Sequence, residues 1–301
     1  MAVGVTATGT VLAAFGTALP ESVVTFVATA FGKSDAEREL GVGAALGGPL
    51  VLSTIAYATV GVVLLMCRHP LKRTPDVERQ FRRLARDQSW FLLIFGMKIA
   101  VGLTVFVFKP WLGWAFLAAY AVYFWREMRP AAGEADADDA LEPLFLARGG
   151  RRPSLVLSLI QTVLALAIIF AASRVFVGRM GALGPALGLS PQLLALLVSP
   201  IATELPETMN AIIWVRQGKH RLALANISGA MMIQATVPTA CGLFFTPWIL
   251  DKPLLLGAGV TAAAITVMLL SFRSGLLSRW LLAGMGLLYG LFAGLLVALR
   301  L

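Results

Sequence analysis

Long apolar runs are the feature that most constrains what this chain can fold into. Nine such runs follow one another along 301 residues, and a helix needs about 20 apolar residues to cross the hydrocarbon core of a bilayer. Hydrophobic residues make up 58% of the chain and charged residues only 14%, whereas soluble domains carry roughly 25% charged residues. We therefore predict an integral membrane protein and exclude a water-soluble globule.

The predicted fold class is all-α, because backbone exposed to lipid must satisfy its own hydrogen bonds. The predicted transmembrane segments are residues 5–31, 41–66, 90–108, 111–125, 154–178, 189–215, 222–249, 253–272 and 278–299. Residues 127–153 mix acidic residues with Pro and Gly, which is typical of a loop. We predict that this cytoplasmic linker joins two halves, residues 1–126 and residues 154–301.

Basic residues concentrate in alternate loops. Seventeen of the 25 Lys and Arg residues fall in loops that a nine-helix thread places on one face, and six fall on the opposite face. Basic loops stay cytoplasmic, so we predict a multi-pass cell-membrane protein with a cytoplasmic N-terminus and an external C-terminus. The net charge of +9 then reflects these loops and not a nucleic-acid partner. The Arg-rich residues 68–86 are predicted to form a cytoplasmic segment that orients the chain at the lipid headgroups.

Two other basic residues, Lys98 and Arg174, lie inside or near apolar runs. Long basic side chains in such places commonly extend their charged ends to the membrane surface. We predict this arrangement for both.

A short motif occurs twice. Residues 16–25 read GTALPESVVT and residues 202–211 read ATELPETMNA, so both contain T-x-L-P-E. Each copy is followed by a polar loop and a glycine-rich helix, at 40–49 and 222–231. The distribution of basic loops places the first of these polar loops outside and the second inside, so the two copies have opposite orientation. Inverted repeats with interrupted helices are typical of secondary transporters with a site near the bilayer midplane.

The motifs carry acids that a membrane interior tolerates poorly. A carboxylate near the bilayer centre is disfavoured by roughly 2.5–3.5 kcal/mol on insertion scales, so Glu21, Glu204 and Glu207 require cations, protons or polar partners. The proline of each motif frees the carbonyl four residues before it. Thr17 shares a helix face with Glu21, as Thr203 does with Glu207. Together these groups predict one oxygen-lined site between the two copies.

The paired motifs, each followed by a glycine-rich helix, resemble the two α-repeats of the sodium/calcium exchanger superfamily of calcium:cation antiporters. The resemblance covers most of the chain, with α-repeats around residues 10–66 and 195–249. It implies ten helices in two inverted halves of five, of which the first is missing here. It also implies that Glu21 and Glu207 bind the transported cation and that Thr17 and Thr203 contribute.

The chain departs from the family pattern at several positions. Glu204 and Ala18 stand where the family usually has serine. The family's G-S-N-x-x-N pattern becomes GGPLVL at residues 47–52, and the second copy keeps only Gln234, with Asn226 one turn earlier, as polar candidates. The predicted cation ligands are Glu21, Glu207, Thr17, Thr203, Glu204, Asn226 and Gln234. Three acids with fewer other oxygen ligands around them would suit coupling to protons at least as well as coupling to Na⁺.

The leading functional hypothesis is an alternating-access antiporter that exchanges Ca²⁺ or a similar cation for Na⁺ or H⁺. The expected partners are inorganic cations and the lipid bilayer, without a cofactor or nucleic acid, and the sequence has no P-loop for a nucleotide. Two alternatives stay open: a transport-inactive relative that acts as a membrane scaffold or subunit, and a Na⁺/H⁺ exchanger. An intramembrane hydrolase, and an enzyme in general, is disfavoured because no HExxH or GxSxG motif is present.

Overall fold

The computed structural model describes residues 14–68, 75–128 and 155–299. Within these ranges every regular element is a helix and no strand is present, which confirms the all-α prediction. The helices are α1 (Ala14–Thr17), α2 (Leu19–Phe31), α3 (Asp35–Val51), α4 (Tyr57–Met66), α5 (Pro75–Gly102), α6 (Leu112–Glu127), α7 (Leu155–Leu187), α8 (Pro191–Thr203), α9 (Leu205–Arg216), α10 (His220–Phe245), α11 (Lys252–Ser274), α12 (Arg279–Gly284) and α13 (Gly286–Ala298).

Several helices continue one another across a short break, so the described residues form nine helical rods. The paired helices are α1 with α2, α3 with α4, α8 with α9, and α12 with α13. Five of the rods are long and apolar enough to span a bilayer: Asp35–Met66, Leu159–Gly184, His220–Phe245, Lys252–Ser274 and Arg279–Ala298. The molecule is therefore a multi-pass membrane protein.

The predicted segment at residues 90–108 was wrong at both ends. Helix α5 already begins at Pro75, and it ends at Gly102. Its first half is amphipathic: Phe81 and Leu84 are buried, while Arg82 is exposed. A helix buried on one face tolerates many charges on the other, and the apolar-run criterion misses such a helix. The start of the first predicted segment (5–13) and nearly all of the predicted linker lie outside the described residues.

Both T-x-L-P-E motifs interrupt a helix. The breaks fall at Ala18, between α1 and α2, and at Glu204, between α8 and α9. Pro20 and Pro206 each lie in the first turn of the second half-helix, where a missing N–H costs little because that group has no partner within the helix. The interrupted helices that the sequence predicts are thus present in both copies.

The glycine-rich helix of each copy packs against the interrupted helix of the other copy. Helix α3 packs along α8, and α10 packs along α1 and α2. The close approach of α3 to α8 depends on Gly43, where a Cβ atom would lie 2.2 Å from the backbone oxygen of Gln192. This exchange of partners is what an inverted two-fold relation between the copies requires, and it brings the two breaks together inside the bundle.

A proline also shapes α3. Pro49 lies inside this helix and cannot donate a hydrogen bond to the carbonyl of Ala45. A π-helical turn, Leu52–Ala56, follows directly and leads into α4. Such turns widen the helix locally and are common next to functional sites.

Helix α5 runs parallel to α10 and is tied to it along its length. Gln80 donates to the backbone oxygen of Arg221 at 2.7 Å and accepts from the Arg221 Nε at 3.0 Å. Farther along both helices, Gln88 donates to the Ser228 hydroxyl at 3.1 Å. A third contact, from Lys98, is described below. These bonds fix α5 beside the helix that supplies Gln234 to the site.

We expect Gly43→Ala to destabilise the protein by about 1–3 kcal/mol, because the added methyl overlaps the backbone of α8 and forces the two helices apart. The measurement is the thermal unfolding midpoint of the purified protein in detergent. Gly96→Ala is the matched control, since no atom lies within 4 Å of the place its Cβ would take on α5. Equal midpoints for both variants would contradict the packing described here.

Candidate cation site between the two repeats

Three carboxylates lie buried at the two helix breaks. Glu21, Glu204 and Glu207 have exposed fractions of 0%, 1% and 0%. Glu21 and Glu207 lie in the first turns of α2 and α9, where the positive end of the helix dipole favours a negative charge. Helices α1 and α8 end at the same breaks, where Pro20 and Pro206 cannot donate a hydrogen bond to the carbonyls of Gly16 and Ala202. Each break therefore offers oxygen atoms of both kinds.

Hydrogen bonds connect the two copies through these carboxylates. The Thr203 hydroxyl bonds to Oε2 of Glu21, across the interface between the copies, and lies 3.2 Å from Oε1 of Glu204. The Gln234 amide on α10 lies 2.9 Å from both carboxylate oxygens of Glu204. Glu21, Thr203, Glu204 and Gln234 thus form one continuous polar chain.

The second cross-connection mirrors the first. The Thr17 side chain interacts with the Glu207 carboxylate, in a geometry that leaves both Glu207 oxygens without a hydrogen bond. Thr17 and Thr203 hold equivalent places in the two motifs, as do Glu21 and Glu207. Each threonine therefore interacts with the glutamate of the opposite copy. Glu207 also repels the carboxylates of Glu21 and Glu204.

Several buried oxygens around the breaks have no hydrogen-bond partner among the residues that the structure describes. They include Oε1 of Glu21, both carboxylate oxygens of Glu207, and the hydroxyl oxygens of Thr25 and Ser199. A buried polar group without a partner costs about 1–3 kcal/mol, and a charged group costs more. These atoms are concentrated at the two breaks, where they stay unsatisfied in this conformation.

The carboxylates alone do not enclose a metal ion in this conformation. Within the described ranges, no three His, Cys, Asp or Glu side chains are placed to hold a metal together. A bound cation would also need the threonine hydroxyls and the freed carbonyls at the helix breaks.

Gly48 is the residue of the first copy that corresponds by spacing to Gln234. It lies four residues before Leu52, the position that the placement of the family pattern at residues 47–52 predicts. Gly48 follows Thr17 by the same 31 residues by which Gln234 follows Thr203. A Cβ atom on Gly48 would lie 2.7 Å from Oε1 of Gln234. The two equivalent positions face each other, and the Gln234 side chain occupies the space between them.

The structure brings six of the seven predicted ligands into one region and leaves one apart. Asn226 is buried with neither amide atom hydrogen bonded, but it precedes Gln234 by eight residues on α10, or about 12 Å along the helix axis. No described contact joins it to the carboxylates.

Sequence reasoning missed two residues near the site. Ser199 lies one helical turn before Thr203, and this spacing could have revealed it. The prediction for Lys98 was wrong: the side chain is fully buried and interacts with Glu21, because it finds carbonyl acceptors inside the bundle. Arg174 is exposed and lies over the Phe31 ring, 5.7 Å from its centre.

Two interrupted helices that meet at buried carboxylates are typical of membrane proteins of the secondary-transporter class. The sodium/calcium exchanger protein family model matches residues 2–128 and 157–298. The chain belongs to this family of cation antiporters, as its T-x-L-P-E motifs predict.

Individual relatives agree with this assignment. The chain is 26% identical to the inner membrane protein YrbG of Escherichia coli (strain K12) over 247 residues, which cover 81% of this chain and 70% of that protein. Among solved structures, the sodium-calcium exchanger NCX_Mj soaked with Na⁺ and Sr²⁺ matches with a TM-score of 0.63 at 16% identity, over 97% of this chain and 87% of the other. The same exchanger soaked with Na⁺ and zero Ca²⁺ gives the same values. At this identity the structural matches establish a shared fold.

We expect Thr203→Val to lower the unfolding free energy by about 1–3 kcal/mol without added cations, because it leaves two buried carboxylates without their shared hydroxyl. The measurement is the thermal midpoint in cation-depleted detergent buffer. Thr239→Val is the matched control, since the buried Thr239 hydroxyl bonds only to the Ala235 carbonyl one turn earlier. A loss no larger than that of the control would argue against the connecting role of Thr203.

Proposed function

We propose that this protein exchanges Ca²⁺ or a similar divalent cation for Na⁺ or H⁺ by alternating access, with Glu21, Glu204 and Glu207 as the site. The observation that carries the proposal is the set of buried carboxylate oxygens without hydrogen-bond partners at the two breaks. Hard cations such as Ca²⁺ take six to eight oxygen ligands. The three carboxylates, the hydroxyls of Thr17 and Thr203, and the carbonyls at the breaks supply ligands of this type.

The burial of these acids also gives a physical reason for exchange in place of simple leakage. An ionised carboxylate without a counter-charge is costly to keep away from water. A site without a cation would have to pass from inward-facing to outward-facing with the free-energy cost of the buried charges unrelieved. Loaded with a divalent cation, with Na⁺ or with protons, the same site is neutralised. We therefore expect the protein to switch between its inward-facing and outward-facing states only when the site holds a cation or protons. This coupling defines an antiporter.

The coupling ion is Na⁺ or H⁺. Two features favour a place for protons: the first glycine-rich helix supplies no side-chain oxygen at residues 47–52, and Glu204 adds a carboxylate that a proton can neutralise. Na⁺/H⁺ exchange at the same residues is the corresponding alternative. We also propose that the N-terminus faces the cytoplasm and that residues 1–126 and 154–301 form the two inverted halves.

A transport-inactive relative is the second candidate. It is favoured by the lack of side-chain oxygens at residues 47–52. It is also favoured by the absence, among the described residues, of three acids placed to hold one metal ion. Such a protein would keep the fold as a membrane scaffold or subunit while its site no longer carries ions.

We expect Glu21→Gln and Glu207→Gln each to reduce exchange at least about 100-fold, because the amide cannot neutralise a cation. The measurement is Ca²⁺ uptake into proteoliposomes under an outward Na⁺ gradient and, separately, under an outward proton gradient. Glu78→Gln is the matched control, since Glu78 is exposed on α5. Full activity in both site variants would refute the assignment of the site. If the folded wild-type protein takes up no Ca²⁺ under either gradient, it carries a different cation or is an inactive relative.

A further inference from the structure

Lys98 on α5 is a buried ammonium held between the two glycine-rich helices. Its Nζ donates to the backbone oxygen of Ala45 on α3 at 2.7 Å and to that of Gln234 on α10 at 3.4 Å. The rings of Phe95 and Trp248 lie 5.6 and 5.8 Å away. The side chain is fully buried, so the ammonium has exchanged its water ligands for protein groups.

Both carbonyl acceptors are free because of a proline. Pro49 lies four residues after Ala45, and Pro238 lies four residues after Gln234, so neither proline can supply the usual helical N–H. Freed carbonyls of interrupted membrane helices are ligands that transporters use for Na⁺. The Lys98 ammonium therefore lies where two such carbonyls, one from each repeat, would otherwise be open to a monovalent cation.

The charge of Lys98 acts on the carboxylates of the site. Lys98 and Glu21 attract each other, and Gln234, whose carbonyl holds the ammonium, also donates its amide to Glu204. Helix α11 packs against α5 and against α3. Its basic residues, Lys252 and Arg273, lie only near its two ends. The buried positive charge thus comes from one half of the molecule alone.

We propose that the Lys98 ammonium is a resident monovalent cation of the transport site and takes the place of one exchanged Na⁺. With three carboxylates ionised and Lys98 charged, a net charge of minus two remains. One divalent cation or two monovalent cations neutralise it. The inference rests on the proposed function and makes it more specific: exchange is electroneutral, with two monovalent cations for each divalent cation.

Lys98→Ala tests this proposal, with Lys109→Ala as the matched control. Lys109 is also a buried lysine whose ammonium donates to two carbonyls, those of Thr104 and Trp248. We measure Ca²⁺ and Na⁺ binding by calorimetry in detergent, and current during Ca²⁺/Na⁺ or Ca²⁺/H⁺ exchange in proteoliposomes. In Lys98→Ala, Ca²⁺ should bind at least about tenfold more tightly, because a unit positive charge has left the site. One more Na⁺ should bind, and exchange should become electrogenic.

The other outcomes are equally distinct. Unchanged or weaker Ca²⁺ binding in Lys98→Ala, with the control like the wild type, would overturn the resident-cation role. If Lys98→Ala and Lys98→Met both fail to fold in NaCl and in choline chloride, the ammonium is a structural clamp and the proposal fails. A folded wild-type protein that binds neither Ca²⁺ nor Na⁺ would instead refute the proposed function on which the inference rests.

A second, independent feature is a basic cavity between α5 and α11. It has a volume of about 480 Å³, and Arg82, Arg86 and Arg273 line it together with Ser89 and Trp90. A smaller cavity of about 200 Å³ adjoins two of the same arginines. The smaller cavity is also lined by Glu78, so three arginines and one carboxylate line the two cavities.

The arginines are only partly satisfied by protein groups. Arg86 donates to Glu127 at 2.9 Å, but its Nε is buried without a partner. Arg273 donates to the Ser89 hydroxyl, and no carboxylate of the described chain pairs with Arg82 or Arg273. Planar guanidinium groups in such an arrangement favour phosphate oxygens.

The wall of the cavity continues into an apolar surface. Leu93, one helical turn beyond Ser89 on α5, is 58% exposed and lines the same cavity as the arginines. A ligand that fits must therefore carry a phosphate at one end and hydrocarbon at the other. We infer that this cavity binds the headgroup of an anionic phospholipid.

The experiment compares thermal stabilisation of the purified protein by phosphatidylglycerol, phosphatidylcholine and inorganic phosphate. We expect phosphatidylglycerol alone to stabilise the wild type. Its binding should be at least about fivefold weaker in the double variant Arg82→Gln/Arg273→Gln, because each substitution removes a charge-assisted hydrogen bond. Arg216→Gln/Arg279→Gln makes the same change in net charge elsewhere and should bind like the wild type. An equal response to inorganic phosphate, or equal weakening in both double variants, would overturn the inference.

Discussion

The structure depends on one constraint: three carboxylates lie inside a membrane protein, away from water. Each ionised group must be met by a counter-charge, a proton or a hydrogen-bond donor. Two helices are interrupted at the acids, so that helix N-termini, freed carbonyls and threonine hydroxyls lie next to the carboxylates. The glycines of α3 allow it to pack closely against the interrupted helix of the other repeat, because a Cβ atom on Gly43 or Gly47 would overlap α8.

Prolines organise the polar interior more widely than the two motifs indicate. Pro20 and Pro206 lie where the second half-helices begin. Pro49 and Pro238 lie inside the glycine-rich helices and release the carbonyls that hold Lys98. Both pairs exploit the same property, the missing N–H, with different results: the first pair breaks a helix, and the second opens a single acceptor within one.

Much of the fold could be predicted from the sequence, because lipid demands long apolar helices and the T-x-L-P-E motif repeats almost unchanged. The amphipathic first half of α5 could not, since its buried face has too few apolar residues to form a continuous run. The sequence pointed to the carboxylates and their threonines through their spacing. It did not reveal where Lys98 lies, because a lysine that reaches the surface and one that reaches a freed carbonyl look alike along the chain. The expectation that Asn226 lies one turn before Gln234 was wrong already at the level of the sequence, because eight residues span about two helical turns.

The contact between Gly48 and Gln234 has a consequence for how the two halves can differ. The axis that relates the copies passes between two equivalent positions, and the space there holds a single side chain. A glutamine at both positions would overlap with itself, whereas the glycine of the first copy leaves room for the Gln234 side chain. In this chain the polar group at the contact therefore comes from the second copy only. The two halves of the site therefore differ at the position where side chains from both copies would overlap.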